Sequence, residues 1–248
     1  MVVRGLLVRG MLAGLLAGLI AFVYASYFAE PLIEQAIAFE DHRHELAGGH
    51  PDPELVSRAV QSTAGLLTGV IVYSTAIGGI FALVFAIAQG RLIRIRPRGT
   101  AALLAIAGFM VVFLVPQIKY PANPPAIGDA ATIRVRTALY FVMIVWSLAA
   151  AVGGVLLRQR LVRRLDLWNA ALCGTGLYIL AVAVAMFVLP LVDEVPADFP
   201  ATLLWQFRLV SLGGHALMLA VLGLTFGFLT ERQKLAVRHS AIRLRRTG

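Results

Sequence analysis

The chain has 248 residues, of which 59% are hydrophobic, and its mean hydropathy is +0.83. That is more apolar content than a soluble core of this size needs, and strand-like alternation is absent, so the composition points to a polytopic helical membrane protein. The net charge of +9 does not imply nucleic acid, because the basic residues sit in short clusters between apolar runs.

Six spans are expected, at about 6–28, 62–88, 100–117, 137–157, 168–190 and 207–229. The first follows Arg4 and Arg9 and ends in small residues, which is also the pattern of a signal peptide. Its apolar run is long enough to span, and it is read as a retained helix. Gly10, Gly14 and Gly18 recur at a spacing that lets helices approach closely, as do Gly65 and Gly69, and Gly223 and Gly227. Packing is the simpler reading; a hinge is the other.

The segment 29–61 is expected to be a polar loop. It contains FEDHRHELAGGHPDPE (39–54), with three histidines and five carboxylates in sixteen residues. Imidazole and carboxylate without thiolate suit cobalt, nickel or zinc. The candidate ligands are His42, His44, His50, Asp41 and Glu45. In an extended loop His42 and His44 project to one side. In a helix Glu40/His44 and Asp41/Glu45 become the facing pairs. The plain alternative is a solvated charged loop with incidental histidines.

On the second span Gln61, Thr68 and Thr75 fall seven apart, a stripe that suits an ion route or hydrogen bonding between helices. After the third span, KYPANPPAIGD begins with Lys119 and Tyr120 at the interface. Pro121, Pro124 and Pro125, with Asn123 between, preclude a helix and imply a rigid cap. Arg134, Arg136 and Arg208 have candidate partners in Asp129, Asp193, Glu194 and Asp198. Cys173, the one cysteine, lies within the fifth span and allows no intrachain disulfide. His215 lies within the sixth. A two-histidine haem would need a second membrane histidine, and none is present, so a haem or quinone oxidoreductase is disfavoured. His215 is read as a hydrogen-bonded neutral imidazole or as part of an ion route.

The connections alternate in charge. Arg4 and Arg9, 91–98, 158–164 and 231–246 hold 16 of the 22 Lys and Arg. The other connections hold 11 of the 13 acids. This places both termini and the basic connections inside, and the acidic ones outside. A span, a proline-bearing outer loop, an arginine, a span and a basic run recur three times, with Pro31, Pro116 and Pro190 and with Arg58, Arg136 and Arg208 as markers. Three helical hairpins are therefore expected within a membrane domain 1–230, followed by a basic tail 231–248. The charge rule alone would reproduce part of this repeat. No phosphate loop, GxSxG elbow or HExxH helix occurs, and no enzymatic role is expected.

FAEPLIEQAIAFE, VQSTAGLLTGV, VPQIKYPANPPAIGD, TIRVRTALYF and EVPADFPATLLWQFRLVSLG together resemble the CbtA family, the probable cobalt transporter subunits. The resemblance runs over roughly 5–230, and KYPANPPAIGD is its most specific part. It implies a multi-pass subunit of the bacterial cell membrane linked to cobalt supply for cobalamin, often beside CbtB, a small single-span partner that also bears histidines. The 39–54 segment matches the family's variable His-containing loop in place and character.

The reading is a divalent-cation uptake subunit. Co2+ is its cargo, with Ni2+ and Zn2+ as alternatives, and it has no permanently bound cofactor. Its partners are the lipid bilayer, a CbtB-type subunit and, as a further option, its own copies. The competing reading is a non-transporting scaffold or metal-sensing subunit, favoured by the lack of Asp or Glu at mid-span.

Overall fold

The computed structural model describes residues 3–46, 48, 56–125, 127, 128 and 130–246, with side chains as far as Gln233. Among these residues there is no β-strand, and six helices are long and apolar enough to cross a membrane. They are α1 (Val3–Leu46), α2 (Arg58–Ala88), α3 (Pro97–Lys119), α4 (Ile133–Leu161), α5 (Leu167–Val188) and α6 (Ala201–Arg246).

Helix α1 does not stop at residue 28, where the apolar run ends. It continues for 18 residues through the segment expected to be a loop, giving 44 residues of helix. The reason is local: Glu30, Glu34, Gln35, Ala36, Ala38 and Glu40 are all good helix formers. Apolar content marks where a helix can leave lipid, and helix propensity marks where it can end. Likewise α6 carries on past 229 into the basic sequence as far as Arg246. Asp166 caps α5, accepting from the Trp168 and Asn169 amides at 3.1 and 3.2 Å. Among the described residues three π-helical turns interrupt the ladders, at Ala25–Ala29 in α1, Gln61–Gly65 in α2 and Phe109–Leu114 in α3.

The chain forms two compact units. The first comprises 1–31, 49–108 and 213–248. Here α1 packs along α2 at van der Waals range of the backbones. A Cβ on Gly10 would lie 2.2 Å from the Gly78 carbonyl oxygen, and one on Gly14 would lie 2.3 Å from that of Ser74. Phe226 of α6 receives Phe81 and Phe85 edge-on, at 5.4 and 4.9 Å between centroids. Gly223 sits against Ala105 and Gly227 against Arg98, so α6 also closes on α3. Gly65 meets only its own helix and Gly69 meets nothing, so this expected pair makes no helix contact.

The second unit comprises 32–48 and 109–212. Its closest helix pair is α4 with α5, which are joined by the basic connection rather than by a proline-bearing loop. Gly154 and Gly174 face each other there, each where a Cβ would meet the other's carbonyl oxygen. Among the described residues two apolar clusters lie in this unit. One joins Leu32 and Ala36 of α1 to Ile127, Phe199 and Leu203. The other joins Val115 and Tyr120 to Met143 and Ala185.

Candidate functional site

The His/acid stretch begins on the last turns of α1. Residues 41–46 are exposed there, which leaves His42 and His44 open to solvent. Because the backbone is helical, His42 and His44 lie about 200° apart around the axis and do not converge. Glu40 and His44, and Asp41 and Glu45, are the pairs that share a face. The turn is anchored from within its own unit: Arg43 pairs with Asp198 at 3.6 Å and lies over the Phe39 ring, which meets Phe199 edge-on. His50 lies outside the described residues. Among the described residues no three His, Cys, Asp or Glu come together as a metal-holding group.

The expected stripe on α2 does not hold one environment. Gln61 is exposed and donates to the Val56 carbonyl at 2.7 Å, and Thr68 is exposed as well. Thr75 is half-buried, and its hydroxyl makes no hydrogen bond among the described residues. The π-helical turn at Gln61–Gly65 explains part of this, because it resets the angular phase between Gln61 and the later turns. His215 is half-buried on α6. The two glycines before it make room for Tyr24, whose hydroxyl oxygen would lie 2.6 Å from a Cβ on Gly213.

The proline-rich segment is a tied knot. Lys119 donates to the Met186 carbonyl and Tyr120 to the Pro190 carbonyl, both at 2.8 Å, fastening the end of α3 to the end of α5. Asn123 accepts from Arg208 at 2.9 Å. Arg136 pairs with Glu194 at 3.2 Å and lies directly over Gly128, whose φ of +112° and missing side chain give it room. Pro124 is fully buried, whereas Pro121 is half-buried and Pro125 exposed. Asp129 lies outside the described residues. Among the acids expected to face Arg136, it meets Glu194, while Asp198 pairs with Arg43.

The pairing of Glu30 with Arg58 has no counterpart among the expectations, and neither do those of Arg43 with Asp198 and Arg98 with Glu231. Glu30, with its side chain 12% exposed, is ion-paired with Arg58, at 27%. Glu30 directly follows the π-helical turn of α1, and Arg58 opens the turn before that of α2. The sequence signal was an acid at the end of one apolar run and a base at the start of the next. Thus Arg58, Arg136 and Arg208, the three repeat arginines, each bind an oxygen acceptor: Glu30, Glu194 and Asn123.

Six long apolar helices, close glycine crossings and a sheltered polar knot define a multi-pass membrane protein. The family model described as "Probable cobalt transporter subunit (CbtA)" matches residues 3–231, and the chain belongs to that family. The description is that of a transporter subunit, and together with the six membrane-length helices it makes the chain a multi-pass protein of the bacterial plasma membrane. No curated protein and no solved structure matches it.

Proposed function

We propose that this chain is the membrane subunit of a cobalt uptake system, with the His/acid stretch on the outer side capturing the ion. The observation that supports it most is the continuity of α1. One helix carries the membrane-crossing sequence, and its far end bears the half-buried Glu40 and the exposed Asp41, His42, His44 and Glu45. Its 44 residues are about twice the ~20 that a helix needs to cross the hydrocarbon layer.

Both termini lie inside in this reading, as the charge alternation requires. His50, Asp52 and Glu54 extend the ligand supply past the helix. Uptake needs no ATP site on this chain: a dication gains about 4.6 kcal/mol per 100 mV of inside-negative potential, more than three decades of concentration. Co2+ is the favoured cargo, with Ni2+ and Zn2+ as competitors for the same donors. A small single-span CbtB-type subunit, or further copies of the chain, completes the route.

The test is uptake of radioactive cobalt by cells lacking other importers. They would express this chain alone, the chain with its small partner, or a His42→Ala/His44→Ala/His50→Ala variant. Accumulation by wild type that fails in the variant only at scarce cobalt supports capture. No accumulation with any combination sinks the transport reading and leaves a scaffold or sensor.

A further inference from the structure

A groove of about 240 Å³ lies where the π-helical turn of α3 meets the crossing of α4 and α5. Val111, Ala151, Val155 and Ala171 give it apolar walls, and Arg158 stands at one end. Gly174 makes that placement possible. A Cβ there would lie 3.2 Å from the Arg158 Cβ, so the arginine stem runs across the bare glycine.

The guanidinium is unusual in its company. Arg43, Arg58, Arg98 and Arg136 each have a carboxylate. Arg158 is half-buried, yet its side chain has no hydrogen bond or ion pair among the described residues. The nearest acid along the chain, Asp166, is committed to the α5 cap through Trp168 and Asn169. A half-buried cation without a counter-charge selects an anion.

The depth of the groove narrows the choice. Exposed Arg160, Arg163 and Arg164 and a Trp168 that is 72% exposed mark this end of the pair as the lipid–water interface. From Arg158 the groove reaches back to Ala151, about 10 Å along the helix toward the hydrocarbon. An inorganic anion would satisfy the charge and leave the apolar walls without contact partners. A lipid fills both.

We propose that this groove is a binding site for one anionic phospholipid, its phosphate on Arg158 and one acyl chain laid along Gly154 and Ala151. Basic pockets between membrane helices are suited to such headgroups.

The test titrates the detergent-purified full chain with phosphatidylglycerol or phosphatidylcholine and counts retained lipids by native mass spectrometry. Wild type is expected to hold one phosphatidylglycerol in preference to phosphatidylcholine. Arg158→Gln should weaken that binding about fivefold, the worth of one arginine near a charged lipid. Arg160→Gln, at an exposed neighbour, should leave it nearly unchanged. Ala151→Leu, which fills the groove and spares the charge, should weaken it too. Equal losses from Arg158→Gln and Arg160→Gln would mean diffuse charge attraction and overturn the site. So would unchanged binding in Ala151→Leu, or displacement of the lipid by millimolar inorganic phosphate.

Discussion

Glu30 and Arg58 form an ion pair between α1 and α2, each within a turn of a π-helical segment on its own helix. The pair is sheltered rather than fully buried, with 12% and 27% of the two side chains exposed. Removing one partner leaves the other charge partly desolvated, which costs more than the intact pair contributes. Arg58→Gln is therefore expected to destabilise the chain by about 2 kcal/mol, below the 3–5 of a fully buried pair. In Glu30→Gln/Arg58→Gln the losses should not add, leaving a coupling of roughly 1 kcal/mol or more in reversible unfolding from detergent micelles. Additive losses would reduce the pair to a surface contact.

The glycine crossing of α1 and α2 gives a contrast within one helix. A Cβ on Gly78 would lie 2.1 Å from the Gly10 carbonyl oxygen and 3.0 Å from the Gly14 Cα, both backbone atoms. Gly78→Ala must push the helices apart, an overpacking cost of about 1–3 kcal/mol. A Cβ on Gly69 meets nothing within 4 Å. Gly69→Ala should be neutral or stabilising by up to about 1 kcal/mol through helix propensity. Thermal unfolding of the two variants in one detergent checks the order; a reversal would mean that α1 and α2 do not cross at these glycines.

These two cases mark what sequence reading reaches. Gly10, Gly14 and Gly18 announce a close contact by their spacing, and the partners, Ser74 and Gly78, are also small residues four apart, but only the fold shows that these two stripes meet. Gly154 and Gly174 are each one small residue among many, in AAAVGGV and ALCGTG, and only the fold singles them out. The prolines of 121–125 forbid a helix on sight, yet which arginine meets which acid depends on tertiary placement. The six apolar helices were legible because lipid selects apolar side chains. The end of α1 was not, because Glu, Gln and Ala satisfy a helix as well outside lipid as Leu does within it.

Asp166 supplies a pH-dependent prediction. The Asn169 backbone amide foremost, and its side chain and Trp168 as well, bond to the ionised carboxylate and hold its pKa below the usual carboxylate value. A carboxyl with a folded pKa below its unfolded one stabilises the fold above the unfolded value, and that contribution is lost as pH falls through the folded value. The α5 cap should therefore weaken below roughly pH 4. Asp166→Asn keeps an acceptor that does not titrate. Its melting temperature should fall less than that of wild type between pH 5 and 3. Parallel pH curves for the two proteins would show that the cap does not contribute to acid sensitivity.

The helical end of α1 sharpens the capture proposal into a comparison of variants. Glu40 and His44 share a face, whereas His42 points elsewhere around the axis. A hexahydrated dication is held better by two convergent donors than by one. Glu40→Gln/His44→Ala should therefore raise the half-saturating cobalt concentration about tenfold, near the lower end of what losing a supporting ligand interaction costs. The maximal uptake rate should stay the same, because capture precedes passage. His42→Ala, although it removes the same chemical group, should raise that concentration by less than about threefold, a small loss of affinity. Initial-rate uptake of radioactive cobalt over a concentration series separates the two effects. If His42→Ala and the Glu40/His44 variant prove equivalent, the stretch acts as an unstructured polyanion with imidazoles. If the maximal rate falls with unchanged half-saturation, these residues act after capture, along the route itself.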